Sequence, residues 1–405
     1  MIRISWDIDS KSWYHHEPNE VVVWGAADEP LPFSPCSNNG SSFTLNKNEF
    51  NKAGPVIGIL TSSDKNLPFI GNTDTFIRLI RYVTGKGGLA VVFTPMDVSI
   101  SSIHGYTLSS GDRKWERISI PPPDFVYNRI PYQKDESSKE FQCFMEWLDR
   151  YSIPYFNHCF FSKWQTYLIM NDNLYLQRFL PETKRLSSKR KLRDFLKEHK
   201  QIMFKPSAKS KGEGIFSLKY NGDGSLLYQS NNGTVYTDLD QLWTILHTRK
   251  DLIMQRYVKR KQYQARPFDY RILVQRLEED WHITGYGIRC AGRDQLTTHV
   301  PSGGKLLPAA TAPLDMKIIQ KIGFEIGKTL DYAFGPVGEF SIDLGVDSKN
   351  RYWIFEVNSK PMVFDEIDIQ NQSIERWYQQ ILSLTGFAAS DIKECSHTHT
   401  IGKGG

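Results

Sequence analysis

The sequence predicts a mixed α/β (α+β) fold in which a small parallel α/β unit precedes a larger unit built around strands and hairpins. Three observations predict it. Between residues 51 and 160, buried-strand patterns alternate with helical spacing, which is the order of a parallel sheet. From about Phe161 the texture changes to Lys/Gly loops and extended segments that follow one another. Gly338 to Pro361 then reads as two strands around a short turn, with carboxylates and an amide alternating against apolar residues. The expected units are residues 1–50, 51–160 and 161–390, with a flexible tail at 391–405.

Residues 1–50 read as a β-rich unit with a strand at Val21–Trp24 and a Pro-, Ser- and Asn-rich stretch after Pro30. Asp7 and Asp9 read there as a solvated strand-edge pair. A second unit opens on the buried strand Gly54–Leu60. A helix follows over Thr73–Gly85, with Phe76, Leu79, Ile80 and Val83 on one side. Leu89–Phe93 is a further buried strand, Asp124–Asn128 an extended piece, and Lys139–Arg150 a helix burying Phe141, Phe144, Met145 and Leu148. Gly85-Lys-Gly-Gly88 precedes a strand instead of following one, so it reads as a helix-ending turn and not as a dinucleotide loop.

Beyond Phe161, helical spacing covers Lys163–Met170, Leu174–Phe179 and Ser188–Lys200. Within Gln201–Ile215 a strand delivers Lys205 into a Ser/Lys/Gly loop that carries Lys209 and Lys211. Its glycines let backbone amides approach an anion while the lysines supply charge, although the P-loop order is absent. A hairpin over Gly214–Tyr220 and Ser225–Gln229 follows, so the loop reads as a mobile flap over phosphates. Next come strands at Leu252–Val258, Asp269–Val274 and His282–Ala291. Arg271 and Arg289 lie on the last two, as a guanidinium clamp for phosphate or carboxylate or as partners in salt bridges with residues such as Asp269. A helix over Asp315–Ala333 leads to the final hairpin.

In that hairpin a four-residue loop, Asp347–Asn350, would pair Val346 with Arg351 and Asp343 with Ile354. Asp343 and Glu356 would then be diagonal neighbours on one face, roughly 7–8 Å apart at the backbone, with Asn358 beside them. Ile354 would share that face. Two carboxylates and an amide oxygen this close raise each other's cost unless a cation fills the gap. All-oxygen donors suit Mg²⁺ or Mn²⁺, which also take substrate phosphates.

Charge excludes one class of partner. The formal net charge is +5 from 50 basic and 45 acidic residues, with no footprint for nucleic acid. No apolar run is long enough to cross a membrane. The five cysteines form no C-x-x-C pair, which points to reduced cytosolic thiols. Cys395-Ser-His-Thr-His reads as a frayed terminus.

Taken in order, Lys-Pro with its Gly/Lys flap, Leu-Ile-Met-Gln-Arg-Tyr-Val, Asp-Tyr-Arg, Gly-Ile-Arg, Ser-Gly-Gly, Asp343 and Glu356-Val-Asn358 resemble the ATP-grasp superfamily. Within it, the chain is similar to the YheC/YheD family of endospore-coat-associated proteins. The resemblance covers roughly Phe161 to Gly386, and Gly54–Phe160 is similar to the α/β domain that precedes the grasp. It implies two antiparallel sheets with ATP between them. By the same resemblance Lys163 and Lys205 would meet phosphates, and Gln255, Arg256, Tyr257 and Val258 would form the hinge at adenine. Asp343, Glu356 and Asn358 would hold Mg²⁺, and Arg271 and Arg289 would face the γ-phosphate or a substrate carboxylate. His299-Val-Pro-Ser departs from the asparagine common before the double glycine, and Lys360 stands where relatives are often small.

The implied chemistry is an ATP- and Mg²⁺-dependent ligase that activates a carboxylate as an acyl phosphate for attack by an amine or thiol, in spore coat formation. Rival readings are an ATP-binding coat or assembly protein without turnover and a phosphotransferase to a hydroxyl. Implied partners are ATP, a carboxylate, an amine and spore coat proteins. Implied locations are the mother-cell cytoplasm and the coat.

Overall fold

The computed structural model describes residues 1–35, 40–64, 66–109, 114–207, 214–221, 224–249, 251–293, 295–298 and 303–388. It divides into two units, Met1–Phe156 together with the chain from Ile374 onward, and Asn157–Ser373. Against expected boundaries near 50, 160 and 390, the chain divides after Phe156 and again after Ser373, inside the last helix.

The first unit contains two six-stranded sheets. One, in the order β2-β1-β5-β6-β3-β4, is built from β1 (Ile2–Asp7), β2 (Ser12–His15), β3 (Val22–Trp24), β4 (Glu29–Leu31), β5 (Ser42–Lys47) and β6 (Lys52–Gly54). Trp6, Trp13, Trp24 and Phe43 pack together in its core, in one cluster with residues of the neighbouring sheet. That neighbour comprises β7 (Val56–Leu60), β8 (Leu89–Phe93), β9 (Ile103–Leu108), β10 (Trp115–Ile120), β11 (Phe125–Asn128) and β12 (Tyr155–Phe156). Its order is β10-β9-β8-β7-β11-β12, parallel across β8, β7, β11 and β12 as expected. The β9–β10 hairpin adds an antiparallel edge.

Helices α1 (Thr73–Gly85) and α2 (Lys139–Arg150) begin at Asn72 and Ser138, whose side chains accept from the third backbone N–H beyond them. Their buried faces follow the 3.6-residue spacing. In α2, however, Trp147 takes the fully buried position expected for Met145. The indole stacks on Phe144 and donates Nε1–H to the Ile100 carbonyl, whereas Met145 packs at the rim.

The second unit holds two further sheets. The first, β13-β18-β14-β15-β16-β17, comprises β13 (Thr183–Arg185), β14 (Gln201–Pro206), β15 (Phe216–Tyr220), β16 (Leu226–Ser230), β17 (Gly233–Thr237) and β18 (Leu252–Arg256), all antiparallel. Helices α4 (Lys189–His199) and α5 (Leu239–Leu246) cover one face, packing Leu192, Phe195 and Leu242 against Ile202, Phe204 and Met254. The second sheet, β22-β21-β20-β23-β24, comprises β20 (Arg266–Leu277), β21 (Asp280–Cys290), β22 (Lys305–Leu307), β23 (Glu339–Val346) and β24 (Tyr352–Asn358), with β19 (Gln262–Tyr263) paired to β20. Helix α6 (Met316–Phe334) lays Ile319, Ile322, Ile326 and Leu330 on Ile272, Phe340 and Ile342. Each such side chain contributes about 1.5–3 kcal/mol on full burial. Apolar packing therefore occupies one face of each sheet and leaves the other for polar side chains.

Helix α3 (Lys163–Asn171) also belongs to the second unit, and α7 (Ile367–Thr385) begins in it and continues into the first. Helical spacing at Leu174–Phe179 gives only a single tight turn, Gln177–Phe179. The Asn173 side chain accepts from the N–H groups of Tyr175 and Leu176, as a residue at a helix start does, but Pro181 follows Phe179 within two residues and stops the turn.

Candidate functional site

The site is laid out by the register of β23 and β24. Their turn is one residue shorter than the sequence suggests. Asp347 bonds to Arg351 across it, Asn350 takes a left-handed φ of 60°, and Val346 lies opposite Tyr352 instead of Arg351. Carried on unchanged, this register would set Asp343 opposite Phe355 and turn Glu356 to the other face, because a one-residue shift inverts every side chain. A β-bulge at Phe355 restores the alternation. Asp343 and Glu356 become direct partners instead of diagonal ones, and Ser341 faces Asn358. Ile354 and Val357, three residues apart, both enter the α6 core, so Ile354 leaves the polar face where it was expected. Asp347 fixes the turn by accepting from Trp353 Nε1 at 3.0 Å and Arg351 Nε at 2.8 Å. Burial would raise this carboxyl, but those donors bring it down to about 2.

Opposite residues in the sheet form a row, Gly287, Arg271, Asp343 and Glu356, all on the polar face. Arg271 grips Asp343 with two bonds, Nε to Oδ1 at 3.0 Å and Nη2 to Oδ2 at 3.1 Å. Arg289 Nη2 reaches the same Oδ1 at 3.1 Å. Arg289 also donates twice to Asp269 Oδ1, at 3.1 and 2.9 Å, the salt bridge its sequence position suggested. Asp269 Oδ2 accepts from Arg260 Nη1 at 2.9 Å and from Thr298 Oγ1 at 2.6 Å. Burial would push the Asp343 carboxyl up, but Arg271 and Arg289 hold it well below the usual carboxylate range. Burial likewise would lower Arg289, which Asp269 and Asp343 keep above its ordinary value.

The neighbouring sheet contributes the lysines. Lys205 on β14 and Gln255 on β18 share a face, and Lys205 Nζ donates to Gln255 Oε1 at 2.8 Å. Gln255 Nε2 donates to Thr183 Oγ1 at 3.1 Å, which fixes the amide. Lys205 Nζ also meets the carbonyl of bulged Phe355 at 3.3 Å, a direct link between the two sheets. Burial drives the Lys205 ammonium down to about 8, with Lys163 adding to the effect and Glu356 opposing it.

Lys163 Nζ lies 3.1 Å from Glu356 Oε1. Its position at the start of α3 is set by Ser207, whose carbonyl and hydroxyl accept from the backbone N–H groups of Lys163 and Trp164. The strand that carries Lys205 thus also positions Lys163. Asn358 makes no side-chain hydrogen bond among the described residues, and the buried Ser341 hydroxyl beside it has no partner. Oxygen donors with spare capacity, between lysines and arginines, fit a hard divalent cation carrying phosphates.

Along the expected hinge, Arg256 lies over Trp353 at 4.5 Å, the Tyr257 N–H bonds to the Gln201 carbonyl, and Val258 is buried. Lys209, Lys211, the rest of the expected flap at 208–213, and His299–Ser302 lie outside the described residues. Arg260 and Thr298 were not singled out in the sequence, where Lys259-Arg260-Lys261 looks like an ordinary solvated run.

Residues 152–386 match the family described as YheC/D-like ATP-grasp, more than half of the chain. The chain belongs to the YheC/D-like ATP-grasp family. Its relatives include the endospore coat-associated protein YheD of Bacillus subtilis, 26% identical over 329 residues, which are 76% of this chain and 73% of YheD. YheC of the same organism is 22% identical over 292 residues, covering 66% of this chain and 79% of YheC. Among solved structures, D-alanyl-alanine synthetase A of Vibrio cholerae superposes with a TM-score of 0.52 at 13% identity, over 83% of this chain and 99% of that one. That likeness shows the ATP-grasp fold, with its pair of antiparallel sheets after an α/β unit. Among the described residues, no helix of this YheC/D-like chain is long and apolar enough to cross a membrane.

Proposed function

We propose that the chain is an ATP- and Mg²⁺-dependent ligase that joins a carboxylate to an amine or thiol through an acyl phosphate, in endospore coat formation. The observation that carries this reading is the meeting of Lys163 and Lys205 with Glu356 and the Phe355 carbonyl, across two sheets. Phosphoryl transfer needs little beyond positioning and charge neutralisation, and these groups supply both. Lys163 and Lys205 would bind phosphate oxygens, and Gln255 to Val258 would border the base. Lys209 and Lys211 would add charge over the phosphates. Asp343, Glu356 and Asn358 would hold Mg²⁺, which neutralises charge on the transferring group when bound. Arg271 and Arg289, already drawn together by Asp343, would face the γ-phosphate or the acyl oxygens.

Calorimetric titration with a non-hydrolysable ATP analogue, with and without Mg²⁺, tests the reading. Tighter binding with Mg²⁺ is expected, and binding indifferent to the metal would leave a structural coat protein. Product analysis then separates amide or thioester formation from phosphoryl transfer to a hydroxyl.

Lys205 gives this reading a pH signature. Only the protonated amine attracts phosphate, so analogue affinity should weaken as pH rises through about 8. The loss by pH 9 should reach up to about tenfold, less to the extent that bound phosphate raises the pKa. Stability should move the other way. The native state releases this proton before the unfolded chain does, so the cost of the buried charge diminishes between about 8 and the usual lysine value. Lys205→Gln should bind weakly with no such step, and an identical pH profile in the variant would remove Lys205 from the phosphates.

A further inference from the structure

One carboxylate at this site belongs to none of the ion pairs. Glu366 stands just before α7, and its side chain makes no hydrogen bond or ion pair among the described residues. Its place is nevertheless built. A Cβ added to Gly287 would lie 2.3 Å from Glu366 Oε1, so the carboxylate rests on bare backbone where any other residue would displace it. Two residues along the same strand, a Cβ on Gly285 would meet Ile369 at 2.7 Å. The start of α7 is thus seated on β21 through two glycines on the polar face. Leu273, Phe364 and Ile369 form a small apolar cluster beside it. The Gln370 backbone N–H donates to the Glu366 carbonyl at 3.0 Å, and the Gln370 side chain ties down the Phe364 carbonyl.

Gly287 is the cross-strand partner of Arg271. Arg271 spends Nε and Nη2 on Asp343, and its Nη1 makes no hydrogen bond among the described residues. The row across the sheet therefore ends in an unspent guanidinium N–H followed by an unspent carboxylate. Every other carboxylate of the row is neutralised, Asp343 by two arginines and Glu356 by Lys163. A carboxylate held on a sheet face near Arg271, with no cation paired to it among the described residues, fits a positive group brought by a ligand.

We infer that Glu366 binds the ammonium group of the acceptor substrate and takes a proton from it, so that the neutral amine, in preference to a thiol or hydroxyl, attacks the acyl phosphate carbonyl while inorganic phosphate leaves. This rests on the ligase reading and adds to it the residue that selects the acceptor. The glycine at 287 is then part of the selection, because it makes room for the acid.

The test uses the full chain loaded with Mg²⁺ and the non-hydrolysable ATP analogue. The probes are the standard L-amino acids, D-alanine, their amides and their N-acetyl derivatives, titrated by calorimetry. Amides keep the ammonium and lack the carboxylate; N-acetyl derivatives do the reverse. At least one amino acid is expected to bind, its amide to bind with it, and its N-acetyl derivative to fail. Glu366→Gln keeps the shape and breaks no observed bond, so folding and analogue affinity should be unchanged while amine affinity falls roughly tenfold or more. Equal amine affinity in the variant, or no amine bound by the loaded wild type, overturns the assignment of Glu366 and leaves the ligase reading standing. If the analogue itself fails to bind, the ligase reading falls first.

Discussion

Glu356→Gln is expected to cut turnover by roughly a hundredfold or more while leaving the fold intact and nucleotide binding only moderately weaker. The side chain faces the polar side of β24, where glutamine matches its shape and still offers Lys163 an oxygen in place of the one now 3.1 Å away. Lys163, Lys205 and the hinge would continue to hold nucleotide. What goes is one negative oxygen donor opposite Asp343, and that matters most as charge moves onto the departing phosphate. Lys205→Ala should show the opposite emphasis, with affinity lost first. Its ammonium, bonded to Gln255 Oε1 and the Phe355 carbonyl, has no substitute at that point. Calorimetry and single-turnover rates on the two variants separate these outcomes. Equal losses of binding in both would mean that Glu356 holds the nucleotide and not the metal.

Much of this architecture is legible in the sequence because it is local. The helices α1 and α2 declare themselves through apolar spacing, and the caps at Asn72 and Ser138 emerge only in the structure. The polar face of the last hairpin shows in simple alternation. What alternation cannot reveal is register. The turn is shorter than it looks, and the bulge at Phe355 that corrects it is specified jointly by the Asp347 turn and by pairing of β23 with β20, far away in sequence. The face of Glu356 was therefore legible, while its direct opposition to Asp343 and the inward turn of Ile354 were not. β17 and α5 carry no comparable signal, and the spacing at Leu174–Phe179 yields one tight turn, cut short ahead of Pro181. Arg260 and Glu366 resemble surface charges in sequence. Only tertiary structure puts the first on Asp269 and the second on Gly287.

Asp269→Asn is expected to destabilise the chain by about 3–5 kcal/mol, the cost of breaking a buried ion pair from one side. The carboxylate is 5% exposed and Arg289 is 6% exposed, so solvent cannot take over the bonds. Oδ1 carries both Arg289 donors, and Oδ2 carries Arg260 and Thr298. Asparagine keeps one acceptor oxygen, but its new NH₂ would point at guanidinium N–H groups or at the Thr298 hydroxyl. Arg289 would be left with Asp343 alone, already gripped by Arg271. Thr298→Val removes a single bond and should cost only about 0.5–1.5 kcal/mol. Urea unfolding with an unchanged m-value would measure both. The double variant Asp269→Asn/Arg289→Gln should recover part of the loss, because the stranded cation goes with its partner. Strict additivity in that cycle would show that Asp269 stabilises the sheet through Arg260 and Thr298, and that Arg289 depends on Asp343.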